Sequence, residues 1–104
     1  MAEDPAHPWL TDEIEDLCQA ISSLRSVEET ELFLRDLCTI SELEAMAHRW
    51  RVAQLLDQGL PYQEIGRRAH ASTTTVTRVA HWLRHGEGGY RLALGRLKRR
   101  SPSR

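Results

Sequence analysis

Apolar residues recur at every third or fourth position along almost the whole chain, and nowhere do they alternate with polar ones for the length of a strand. That period belongs to the α-helix, so the chain is expected to be all-α. Ile14, Leu17, Cys18, Ile21 and Leu24 mark a first helix over about 11–24, with Asp12 and Glu13 in its first turn, where the helix dipole favours acids. Ser26 followed by Glu29 is a capping-box pattern and opens a second helix running to about residue 38. Ser41 followed by Glu44 repeats the pattern and is expected to open a third, with Leu43, Met46, Ala47, Trp50, Ala53 and Leu56 as its apolar face. Asp57-Gln58-Gly59 stops it, with Gly59 as the C-cap. Pro61 suits the first turn of a short fourth helix over 61–69, and Ser72 caps a fifth that runs to residue 84 or 85. Gly86-Glu87-Gly88-Gly89 is a break, and a sixth helix from about Tyr90 carries Leu92, Ala93 and Leu97. Residues 1–10 hold two prolines and no period, so they read as an arm. Residues 99–104 read as a basic tail, which leaves 11–98 as a single helical domain.

Several function classes have no support in these 104 residues. No apolar run approaches the roughly 18 residues that span a bilayer, so no membrane partner is expected. The acidic start, Met1-Ala2-Glu3-Asp4-Pro5, lacks the apolar stretch of a secretory signal. Cys18 and Cys38 lack CxxC spacing and lie on apolar faces, so they read as core thiols in a reducing cytoplasm. His81 and His85 stand one helical turn apart, but no third ligand is spaced to join them, so they read as surface histidines rather than a metal site. The Gly86–Gly89 run lacks the strand, helix and Lys-Ser/Thr of a phosphate loop, and no nucleophile elbow or paired acids occur. The chain therefore reads as a non-enzyme that needs no cofactor.

Charge is divided unevenly. Residues 1–46 carry 12 acids against 2 bases, while residues 47–104 carry 12 bases against 3 acids, so a net charge of −1 conceals halves of −10 and +9. Such asymmetry fits nucleic-acid contact by the basic half. It equally fits two solvated halves that attract each other as they pack.

The basic half contains PYQEIGRRAHASTTTVTRVAHWL over 61–83: a short helix, a tight turn and a longer helix. Ile65 and Ala69 face inward from the first, and Val76, Val79 or Ala80, and Leu83 from the second. Gly66 is small enough to let the second helix cross closely. This is the layout of a helix-turn-helix over about 61–85. Ser72, Thr73, Thr74, Thr75 and Thr77 cluster at the head of the second helix although β-branched Thr is a mediocre helix former. A threonine hydroxyl donates to or accepts from a base edge, and its methyl meets the thymine methyl. Gln63, Arg67, Arg68 and Arg78 surround the cluster and suit phosphates. His70 takes the turn position where a positive φ is expected, which His tolerates better than most residues. The plainer reading of the same segment is an α-hairpin inside a small bundle.

At these residues the chain resembles the Trp repressor family, in particular its YerC/YecD-like branch. The stretches that carry the likeness are DLCTISELEAMAHRWRVAQLL (36–56), YQEIGRRAHASTTTVTRV (62–79) and GEGGYRLAL (86–94). The resemblance implies a six-helix Trp-repressor-like fold, an intertwined homodimer, and operator binding through the fourth and fifth helices. It puts base and groove contacts on Gln63, Thr73, Thr74 and Thr77. Gly66 stands where the family has a basic contact, which Arg67 replaces. It also implies an effector pocket at Thr39, Arg49, Thr75 and Arg78, where paired guanidiniums suit a carboxylate and a flat ring. Val79, Trp82 and Asp36 depart from that pocket, the first two being bulky where the ligand needs space. Arg49 and Arg78 read equally well as ion-pair partners of Asp36, Glu42 or Glu44, and Trp50 as core or dimer surface.

The expected function is that of a sequence-specific, repressor-like transcriptional regulator. Its partners would be double-stranded DNA with a palindromic operator and a second copy of the chain, with any small-molecule effector unidentified. Lys98, Arg99 and Arg100 would add non-specific affinity. The rival is a helical dimerisation or protein-interaction module that has lost DNA binding. The altered pocket predicts that calorimetry detects no micromolar binding of L-tryptophan, and a micromolar isotherm would contradict that reading.

Overall fold

A computed structural model describes residues 7–100, the last two by their backbone alone. Most of the expected arm (1–6) and tail (101–104) lies outside the described residues. The fold is all-helical: α1 (Asp12–Ser22), α2 (Val27–Leu37), α3 (Ile40–Asp57), α4 (Tyr62–Ala69), α5 (Thr73–His85) and α6 (Gly89–Arg100). No strand occurs among the described residues. The chain divides within α3 into two compact units, one ending at Leu43 and the other beginning at Glu44. No described helix is long and apolar enough to cross a membrane.

Local chemistry sets most helix ends. The Thr11 hydroxyl accepts from the Ile14 N–H at 3.2 Å, and the Ser26 hydroxyl from the Glu29 N–H at 3.0 Å. The Glu29 carboxylate reaches back to the Arg25 N–H at 2.8 Å, one residue beyond the usual box partner. The third box differs from expectation: Thr39 and Glu42 form it, not Ser41 and Glu44. The Thr39 hydroxyl accepts from the Glu42 N–H at 3.1 Å, and the Glu42 carboxylate accepts from the Thr39 N–H at 2.8 Å. Two such patterns overlap here, and the earlier one starts α3 sooner. Pro61 precedes α4 as its N-cap (φ −63°, ψ 151°) rather than sitting in its first turn, and its carbonyl accepts from the Ile65 N–H at 3.0 Å. Gly59 ends α3 as expected, with φ at +81°.

The core lies in the second unit. Val52, Ala53 and Leu55 of α3, Ile65 of α4, and Val76 and Val79 of α5 form one buried cluster, and Trp50, Leu56, Leu60, Ala69, Ala71 and Tyr90 pack around it. The buried side of α3 therefore differs from the expected stripe, because Met46 and Ala47 are exposed. Apolar residues are spread round α3, so period alone did not single out one face. Asp57 stands at the C-terminal end of α3, where the helix dipole disfavours an acid, and Lys98 of α6 pairs with it at 2.7 Å.

The first unit is built differently. Neither α1 nor α2 has a buried residue, and Val27 and Leu32 are 68% and 70% exposed. Cys18 is exposed and Cys38 half-buried, so neither is the core thiol expected. Their apolar faces exist, but among the described residues no side chain of α1 or α2 is fully buried.

Ile65 is fully buried and joins α4 to the cluster. Ile65→Ala should cost about 2–5 kcal/mol in urea unfolding. A loss below about 1 kcal/mol would contradict this account of the core.

Candidate nucleic-acid interface

Helices α4 and α5 meet at a three-residue turn, His70-Ala71-Ser72. His70 is left-handed (φ 52°, ψ 45°), as its position demanded. The chain then folds back, and the Ala71 N–H donates to the Gly66 carbonyl at 3.0 Å. Gly66 serves this turn rather than a helix crossing: a Cβ there would stand 3.1 Å from the Ala71 carbonyl oxygen. Ser72 then caps α5, its hydroxyl accepting from the Thr75 N–H and donating to Thr75 Oγ1, both at 3.1 Å.

Burial sorts the hydroxyl cluster. Val76, Val79 and Ala80 face the core, so Thr73, Thr74, Thr77 and Arg78 face out. Ser72 and Thr75 satisfy each other and the helix end, while Thr75 is half-buried. Gln63 is exposed on α4, and Tyr62, Gln63, Gly66, Ala71 and Thr73 line a cleft of about 390 Å³. Gln63 and Thr73 are thus brought to one cleft, with Tyr62 as a wall that sequence reasoning passed over.

Arg67 and Arg68 are both exposed, but neither stands alone. Glu64 binds both: Arg67 through Nε at 3.3 Å and through a short contact from Nη2, and Arg68 through Nε at 2.7 Å. The Arg68 hydrogen bond, and then that of Arg67, holds the Glu64 carboxyl below its usual range. Glu64 was missed although its spacing of three and four residues from the arginines announces such pairs.

Three of the four residues expected at an effector pocket line one cavity. Arg49, Thr75 and Arg78 line a cavity of about 210 Å³ with Ala45, His48 and Val79, and His48 is a member not foreseen. Thr39 instead caps α3 and belongs to the first unit. Trp82 does not crowd this cavity as expected. It is 57% exposed and, with Trp50, Gly86, Glu87, Gly89, Tyr90 and Ala93, lines a separate apolar pocket of about 500 Å³. The reason is helical phase: Val79 turns toward α3, whereas Trp82 turns toward the α5–α6 break. Trp50 is half-buried and stacks on Tyr90 with centroids 6.3 Å apart. His81 and His85 have ring centroids 5.2 Å apart, and no group of three metal-ligating side chains occurs among the described residues.

Comparison with known proteins supplies an independent line. The family model described as Trp repressor protein matches residues 12–98. The uncharacterised protein YerC of Bacillus subtilis (strain 168) is 41% identical over 86 residues, 83% of each chain. A TrpR-like protein from Eubacterium eligens ATCC 27750 superposes with a TM-score of 0.79 at 38% identity, covering 85% of this chain and 91% of its own. A candidate Trp repressor from Staphylococcus aureus superposes with a TM-score of 0.82 at 31% identity, covering 92% and 96%.

The left-handed turn yields a direct check. His70→Val should destabilise the chain by about 1–2 kcal/mol, because a β-branched residue is strained at this φ. His70→Gly should match or exceed the parent. Equal thermal midpoints for the Val and Gly variants would contradict the turn geometry.

Proposed function

This chain belongs to the Trp repressor family, and from that premise we propose that it is a DNA-binding transcriptional regulator that enters the major groove with α5. The family is one of regulators rather than enzymes, and the reading assigns this chain a role in binding, not catalysis. One observation carries the reading: Gln63, Thr73, Thr74 and Thr77 stand exposed around the head of α5, flanked by the guanidiniums of Arg67, Arg68 and Arg78.

The chemistry follows from those groups. The Gln63 amide suits the N6 and N7 edge of adenine, and the threonines offer a hydroxyl and a methyl to the major-groove edge. The guanidiniums and the α5 N-terminus hold phosphates, which fixes register without reading sequence. Ser72 contributes indirectly, by holding the helix end in shape.

In this reading residues 11–98 act as one DNA-binding domain in the cytoplasm, with the basic tail adding sequence-independent attraction. The unburied apolar stripes of α1 and α2 support a homodimer in which a second copy covers them. Two recognition helices about one DNA turn apart would then read a palindromic operator. The cavity of about 210 Å³ at Arg49 and Arg78 is smaller than the roughly 300–1,000 Å³ of most small-molecule sites, which supports a regulator that does not respond to tryptophan.

The base and phosphate roles separate experimentally. In fluorescence anisotropy, Thr74→Ala should lose about 1–3 kcal/mol of discrimination at the preferred duplex and keep most of its affinity for random duplex. Arg67→Ala should weaken binding to all sequences alike and make the salt dependence shallower. An unchanged sequence preference in Thr74→Ala would contradict the assigned reading face. No salt-dependent DNA affinity in the parent protein would favour the interaction-module reading instead.

A further inference from the structure

We infer that Glu64 is a positioning residue that clamps Arg67 and Arg68 and so holds down the sequence-independent affinity of this surface for DNA; the inference rests on the DNA-binding reading above.

The geometry is that of one carboxylate serving two guanidiniums from the same helix turn. Glu64 Oε2 accepts from Arg68 Nε at 2.7 Å and from Arg67 Nη2, while Oε1 accepts from Arg67 Nε at 3.3 Å. The Arg67 and Arg68 side chains are 70% and 47% exposed, but Glu64 only 29%, so the acid lies beneath the two bases.

Two effects follow. First, three charged groups present a net charge of +1 where the two arginines alone would present +2. A phosphate approaching this corner meets roughly half the attraction, whatever the base sequence. Second, the clamp fixes which donors remain. A guanidinium has five N–H donors. Arg67 commits two of them to Glu64 and Arg68 commits one, so three and four stay available on the outer edges. The arginines are thus aimed outward in a defined fork rather than free to follow any backbone. Gln63 precedes the clamp on the same turn of α4, so the fork and a base-reading side chain share one rigid support. With part of the general attraction withheld, a larger share of the total binding free energy at a preferred site falls to Gln63 and the threonines of α5.

The test uses the full chain and a random-sequence duplex of about 20 base pairs, with affinity measured across a salt series. Exposed ion pairs contribute little to stability, so Glu64→Gln should fold with a thermal midpoint close to the parent, checked by circular dichroism. Glu64→Gln should tighten random-duplex binding about fivefold and steepen the log–log salt slope by about one, the increment for one further phosphate neutralised. The gain should fall below about twofold when Arg67 and Arg68 are both Gln, because the effect acts through them. Unchanged or weaker binding by Glu64→Gln would overturn the inference, and so would an equal gain without the arginines, which would reduce Glu64 to bulk charge. A parent protein that binds no duplex even at low salt would instead overturn the DNA-binding reading, and this inference with it.

Discussion

The buried contact of Ile65 with Val76 and Val79, seated on Val52 and Leu55, fixes the rest of the second unit. A helix that buries one stripe exposes the opposite one. With Val76, Val79 and Ala80 committed to the core, Thr73, Thr74 and Thr77 have nowhere to point but outward. The same contact sets α4 against α5 and gives the His70 turn its left-handed residue. The proposed recognition surface is therefore a by-product of packing: the five aliphatic side chains Val52, Leu55, Ile65, Val76 and Val79 determine where the hydroxyls stand. Its chemistry is supplied by residues that contribute little to the core.

Electrostatics then trims that surface. The basic half reads on paper as a row of free cations, but Glu64 binds two of them and Asp57 binds Lys98. The hydroxyl cluster is trimmed in the same way, since Ser72 and Thr75 are engaged at the helix end. What remains for a partner is a smaller and better-defined set: Gln63, three threonines, and guanidiniums whose directions are partly set. In the proposed DNA-binding reading, such a surface leaves a larger part of the binding to groups that read bases, because attraction to phosphate does not distinguish one sequence from another.

Legibility in the sequence followed locality. Ser26, Gly59, His70 and Ser72 were readable because capping and left-handed turns depend on a few neighbouring residues. The six helices were readable for the same reason, and family membership agrees with them. Thr39 and Glu42 were hidden by an overlapping pattern two residues later. The buried side of α3 was misjudged because apolar residues surround it, so its period named no single face. Cys18 was misjudged because an apolar stripe shows only that something should cover it, not that the same chain does. Trp82 was placed in the wrong pocket because a position matched by sequence carries no side-chain direction. Glu64 was overlooked because attention to net charge obscures a pair visible at i, i+3 and i, i+4.

Selection of bound duplexes from a random DNA library by the purified chain at moderate salt tests the central claim most directly. A regulator of this kind should enrich a palindrome whose half-sites lie about one helical turn apart. Failure to enrich any sequence, with no retention of DNA even at low salt, would contradict it.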